Sequence, residues 1–275
     1  MPDIVVHNRM GREVYKKLPA EISSRIDREI FRIGLLGPDP YSLYRFFAFP
    51  FRNGIHRRMG DMHLRKTNDF LVEMAKHSRT GEMFSYLCGF MCHYALDSVT
   101  HPYINELSDY KGYMHMAIEH KLDEIELDRM GMKLADRPIT RGFYPSFLPE
   151  SMHADYDTVM KNVYGWEDGW TKFKASYLHH KLYSYLAEDP SGLINLIFCR
   201  APHELANGKI TSVSYRSHLC DGMSFEDFEK LRRKSVKRAI ELIEAAYSFC
   251  NDKISEEELR SIIGYKNYVG NDPEQ

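Results

Sequence analysis

Long apolar runs, paired cysteines and strand-like alternation are all scarce in this chain. The longest uncharged segment, Met83–Leu96, is too short to span a bilayer and has the length of a buried helix. Five cysteines (Cys88, Cys92, Cys199, Cys220 and Cys250) make an odd count with no Cys-x-x-Cys pair, which reads as reduced core residues rather than a disulfide framework. The opening MPDIVVHNRMGREVY has no basic start followed by an apolar run, so no secretory leader is visible and a cytoplasmic setting is expected. A net charge of −2 gives no overall field for nucleic acid or a charged membrane, and no specific nucleic-acid motif occurs. Internal repeats, low-complexity tracts and long polar linkers are missing too, which predicts one domain over residues 1–275.

What the chain does have is helical period. With 43% hydrophobic and 28% charged residues it can bury a sizeable core. The spacing of apolar residues predicts helices over 7–18, 20–35, 60–78, 81–101, 111–132, 152–164, 169–187, 224–251 and 255–264. Ser224 with Asp227 three residues on is the signature of a capped helix start. Turn dipeptides such as Asn207-Gly208 and Asp221-Gly222 mark irregular stretches at 36–58, 133–150 and 188–223. The expectation is an all-α fold, a single multi-helix bundle.

The stretch HYALDSVTHPY places His93, Asp97 and His101 four residues apart, on one helical face. Pro102 disfavours helical geometry at the residue before it, so His101 is expected where the helix stops. An ionised aspartate buried there needs a cation or strong donors. Two imidazoles and a divalent metal meet that need; two core histidines bonded to Asp97 without metal meet it as well. A second set follows in HMAIEHKLDE, where His115/Glu119 and His120/Glu124 compete. Met114, Ile118, Leu122 and Ile125 mark the apolar face; at 100° per residue His115 lies roughly 65° from its centre and His120 roughly 155°. The first pair therefore borders the buried side. Upstream stand Asp39, in GLLGPDPYSLY, and His63, in GDMHLRKTNDF; His56 rivals His63 but lies among arginines in an expected loop.

Taken in order, His7, Asp39, His63, His93/Asp97, His101 and His115/Glu119, with Asp123 one turn later, resemble the zinc-dependent phospholipase C family, whose fold is shared with the fungal single-strand nucleases. The GxxGPD turn before Asp39 and the segment EMFSYLCGFMCHYALDSVTHPY carry the resemblance as well. It implies zinc, two or three ions, with iron or manganese as alternatives. It implies that Asp39, His63, His93 and Asp97 hold one ion, that His101, His115 and Glu119 hold a second, and that His7 shares a third with a bridging Asp97. The chain departs from the secreted members at its MPDI start, where they present a tryptophan ligand, and in the shorter gap between Asp97 and His101.

The activity so implied is hydrolysis of a phosphodiester, with metal-activated water attacking phosphorus and Asp39 orienting that water or taking its proton. The expected partner is a phosphate ester, such as a phospholipid head group. A nuclease or phosphomonoesterase acting on a soluble phosphate is the alternative within the fold; a non-catalytic metal-binding helical protein is the alternative outside it. A di-iron carboxylate protein would need two Glu-x-x-His motifs, whereas His-x-x-x-acid spacing prevails here. Tyr41, Tyr44 and Phe46, in a segment that also holds Phe47, Phe49 and Phe51, could line a head-group or nucleobase pocket or simply pack the loop. The basic cluster of Lys230, Arg232, Arg233, Lys234, Lys237 and Arg238 is interrupted by acids and reads as a solvated helix face. His179 and His180 point about 100° apart and are expected to pack or face solvent rather than chelate one ion.

Overall fold

The computed structural model describes residues 4–48, 54–79, 81–131, 144–145, 148–188 and 224–272. The described residues are helical with no strand, as the all-α expectation requires. In chain order the helices are α1 (Ile4–Lys17), α2 (Ala20–Ser23), α3 (Arg28–Gly34), α4 (Arg58–Leu64), α5 (Thr67–Lys76), α6 (Gly81–Leu107), α7 (Gly112–Arg129), α8 (His153–Tyr164), α9 (Gly169–Glu188), α10 (Phe225–Cys250) and α11 (Glu256–Ile263). Short 3-10 turns occupy Asp39–Leu43, Phe46–Ala48, Ile55–Arg57 and Glu150–Met152.

Two helices expected as continuous are broken. The 20–35 segment stops at Ser23 and restarts at Arg28, because Asp27 turns its carboxylate onto the backbone N–H groups of Glu29 and Ile30 and caps a new start. The 60–78 segment is interrupted at Lys66, which sits at φ +56. The opposite correction applies at Pro102. The helix does not stop at His101; α6 runs on through the proline to Leu107. Pro102 forfeits one backbone bond, but Thr100, His101 and Ile104 are all buried around it, and that packing holds the turn. All of the expected 188–223 stretch beyond Glu188, and most of 133–150, lie outside the described residues, as do Cys199, Cys220, Phe49 and Phe51.

α6 is the axis of the molecule. It packs on α10, α3, α1, α5 and α7, and its residues from Met83 to Asp97 are buried without a break. The approach of α3 is unusually close. A methyl group on Gly34 would overlap the Tyr86 carbonyl, and one on Gly89 would overlap the Phe31 carbonyl. Two glycines thus let two backbones touch, and this contact sets the height of the loop after α3 against α6. Cys88, Cys92 and Cys250 are buried free thiols, as expected. Among the described residues, no helix is long and apolar enough to cross a membrane.

Candidate metal centre

Five of the eight proposed ligand side chains, His7, Asp39, His63, His93 and His115, come from elements whose local packing explains their aim. His93 is one turn past Gly89, so the α3–α6 contact brings the Leu35 carbonyl to its ring; His93 Nδ1 donates to Leu35 O at 3.1 Å. Gly37 follows at φ +53, where a side chain would overlap the His93 ring. The chain then enters the Asp39 turn directly above that imidazole. His63 Nδ1 donates to Met59 O, one turn back in α4, at 2.8 Å. His115 Nδ1 donates to Asn105 Oδ1, at the end of α6, at 2.8 Å. With Nδ1 so engaged, the three rings present Nε2, the arrangement that fixes the tautomer of a ligating histidine.

α1 brings in His7, and its start is held by α7. The Asp123 carboxylate accepts from the Val5 N–H at 3.2 Å and the Val6 N–H at 3.0 Å, capping α1 and setting the height of His7 above α6. Two residues beyond His7, Arg9 pairs with Glu126 and Glu229, so a second polar tie joins α1 to α7 and α10. The His7 and His93 rings stack with centroids 4.2 Å apart.

These contacts converge on Asp97. Its Oδ1 lies 3.2 Å from His7 Nε2 and 3.7 Å from His101 Nε2; its Oδ2 lies 3.0 Å from His93 Nε2 and 3.5 Å from His63 Nε2. Asp39 Oδ1 stands 3.5 Å from His63 Nε2 and 3.9 Å from His93 Nε2. Glu119 Oε1 closes the other end, 2.8 Å from His115 Nε2 and 3.3 Å from His101 Nε2. The structure therefore gathers all eight residues, including His63 rather than His56. The side chains of the rival pair His120/Glu124 lie outside the described residues.

Three groups have donor atoms mutually within 4.8 Å: His7/His93/Asp97, Asp39/His63/His93 and His101/His115/Glu119. Four ligands about 2.1 Å from a tetrahedral zinc stand about 3.4 Å from one another. The observed separations of 2.8–3.9 Å bracket that spacing. His93 Nε2, though buried and close to Asp97, is out of line for a hydrogen bond. The residues fit divalent ions in donor type, spacing and aim.

The electrostatics agree. Burial opposes charge on His93 and His101, but the neighbouring carboxylates outweigh it and push both up to about 9. Burial likewise opposes charge on Asp97 and Glu119, yet the imidazoles hold Asp97 well below the usual carboxylate range and Glu119 down to about 2. His7 is lowered, by burial first and then by the charge of neighbouring His93. Without metal, protons balance the buried carboxylates.

The sequence matches the zinc dependent phospholipase C family over residues 6–186. The chain belongs to this family. No curated protein and no solved structure matches it. Membership brings the all-α fold and points to a hydrolase of the zinc-dependent phospholipase C type, and three groups of the residues just described could hold metal.

Other expected site residues are placed differently. Tyr41 is fully buried, its hydroxyl 3.2 Å from that of Tyr156 and its ring against Phe173, the position of a core residue rather than a pocket wall. Tyr44 packs edge-on against His179, and Phe46 against Tyr183. His179 accepts the Arg45 N–H, and His180 is buried against Tyr144. The basic cluster is only partly a solvated face: Lys230 pairs with Asp227 in solvent, but Arg232 is buried between Glu229 and Glu13. Residue-type reasoning missed the supports behind the ligands. The Leu35 and Met59 carbonyls carry no sequence signal; the glycines of GLLGPD and CGFMCHY were the available clue.

Proposed function

We propose that this chain is a metal-dependent phosphodiester hydrolase with two or three zinc ions. Asp39, His63, His93 and Asp97 would hold one ion, His101, His115 and Glu119 a second, and His7 with Asp97 a third. The observation that carries the reading is Asp97: a single buried carboxylate whose two oxygens each face two imidazoles from different elements. Without a cation such a cluster has no structural advantage over apolar packing, since replacing buried ionic groups by well-packed apolar ones is often neutral or stabilising.

Bound zinc would supply charge neutralisation of the phosphate oxygens and a water of lowered pKa. The chain's residues supply the rest. Asp39 and His115 are about one-fifth exposed, against 4% for Asp97 and 5% for Glu119, so the cluster opens to solvent on their side. A phosphate ester enters there. Asp39 accepts the proton of the attacking water as its oxygen bonds to phosphorus and the bond to the leaving alcohol breaks. Phe46, half-buried on the segment after Asp39, supplies an apolar wall beside the leaving group. The best candidate substrate is a phospholipid head group or a related soluble phosphodiester.

The test is metal analysis of the purified chain followed by zinc-dependent hydrolysis of phosphatidylcholine, single-stranded DNA and nucleoside monophosphates. Bound zinc with turnover of a phosphodiester supports the reading. Zinc bound without turnover of any of them would leave a non-catalytic zinc protein, and no metal uptake at all would remove the proposal.

A further inference from the structure

Residues 265–272 lie beyond the span matched by the family, yet they return to the metal centre. Asn267 builds the turn: its side-chain oxygen accepts from the N–H groups of Val269 and Asn271 at 3.1 and 3.0 Å, and its own N–H donates to Asn271 O at 2.8 Å. The turn is docked on α6. The Tyr94 hydroxyl donates to Lys266 O at 2.9 Å. Gly270, at φ +78, presses so closely that a methyl group there would strike Pro102 and reach within 2.8 Å of the Ser98 carbonyl. Tyr94, Ser98 and Pro102 each follow by one position the ligand stripe His93, Asp97 and His101, so the segment lies along the strip of α6 next to it.

From this turn Tyr268 reaches α4. Its backbone N–H donates to His63 O at 3.0 Å. His63 is the penultimate residue of α4, and the last four carbonyls of a helix have no partner within it. The docked segment supplies one. The Tyr268 ring, buried, lies with its centroid 4.9 Å from that of His63 and 5.9 Å from that of His93. The His63 imidazole is therefore flanked by a tilted aromatic ring while Nδ1 is held by Met59 O, leaving Nε2 aimed between Asp39 and Asp97.

We propose that Tyr268 is a positioning residue of the metal centre: carried by the docked 265–272 turn, it fixes the His63 imidazole for metal binding. The proposal rests on the metal reading above. The experiment is titration of the metal-free chain, residues 1–275, with zinc alone, reading stoichiometry and affinity, with circular dichroism and Tm in parallel. Tyr268→Leu keeps buried apolar volume and the backbone N–H but loses the ring; it should weaken one class of zinc site about 10-fold or more, the range for groups behind metal ligands. Gly270→Ala, which lifts the turn from Pro102, should weaken the same class. Tyr268→Phe should bind zinc as the unsubstituted chain does, because the Tyr268 hydroxyl has no hydrogen-bond partner among the described residues. Exposed Tyr265→Ala should also be silent. A lowered Tm with unchanged zinc affinity in both Tyr268→Leu and Gly270→Ala would reduce the segment to ordinary packing and overturn the proposal. Equal losses in Tyr268→Phe and Tyr268→Leu would overturn it too, by assigning the effect to the hydroxyl. If the unsubstituted chain takes up no zinc, it is the metal reading that fails, and the proposal falls with it.

Discussion

Helices α6 and α10 are nearly equal in length, 27 and 26 residues, and lie packed together, but they handle polar side chains in opposite ways. On α10 the charges sit three residues apart in compensating pairs, Lys230 with Asp227, Arg232 with Glu229 and Arg238 with Glu241. Each has a partner of opposite charge within its own helix, and Arg232 and Glu229 add Glu13 and Arg9 of α1 to theirs. α6 buries His93, Asp97 and His101; there one carboxylate faces two imidazoles, and the remaining partners arrive from α1, the Asp39 turn, α4 and α7. Charge that is balanced locally serves a scaffold. Charge that needs four other elements to balance it marks a site, because only the complete fold creates it.

The comparison can be broken most severely at Asp97. Asp97→Asn should weaken zinc binding by well over 100-fold, beyond the 10–100-fold range of groups behind the ligands, and abolish hydrolysis; equilibrium dialysis against zinc measures it. Arg232→Ala should do the reverse. It leaves Glu229 and Glu13 short of a buried partner and should cost roughly 3 kcal/mol in urea unfolding, with zinc content unchanged. Gly37→Ala probes the seam between the two kinds of region. Strain at φ +53 should cost about 1–3 kcal/mol, and displacement of the His93 ring should lower zinc affinity as well.

A pH series sharpens the same contrast. His93 and His101 are raised to about 9, so their contribution to the metal-free chain is complete below the unfolded histidine value of about 6.5 and is lost as pH rises through 9. Asp97 and Glu119 are depressed; their contribution is present above the unfolded carboxylate value of about 4 and is lost as pH falls through their lowered values, about 2 for Glu119. The metal-free chain should therefore be most stable between about pH 5 and 6.5 and weaken towards pH 9. Over that same upper window zinc affinity should rise, because binding displaces the imidazole protons. Thermal melts with and without zinc test the opposing slopes. The smallest effect belongs to Lys230→Ala on the solvent side of α10, which should leave both Tm and zinc content where they were.

That His93, Asp97 and His101 share one face of α6, and that Glu119 faces the buried side of α7, was legible in the sequence because helical period fixes which residues share a face, whatever the tertiary fold. The order of ligand types carried the family resemblance. Less was legible where one residue's conformation overrides period. Asp27 breaks a helix by capping the next, and Pro102 fails to end one because its neighbours are buried. Tyr41 sat among aromatics that read equally as pocket or core, and only its burial decides for core. Tyr268 was invisible. Nothing in its own segment refers to His63, some two hundred positions earlier; the link exists only once the 265–272 turn settles on α6.

The Gly34–Gly89 contact has a consequence for how this molecule can change over time. Where side chains cushion two helices, substitutions let one slide over the other in small increments. Here backbone lies on backbone, with no cushion to trim or enlarge. Drift in sequence around the loop that follows α3 can reshape its outer surface, but it has no gradual route to a new register beneath.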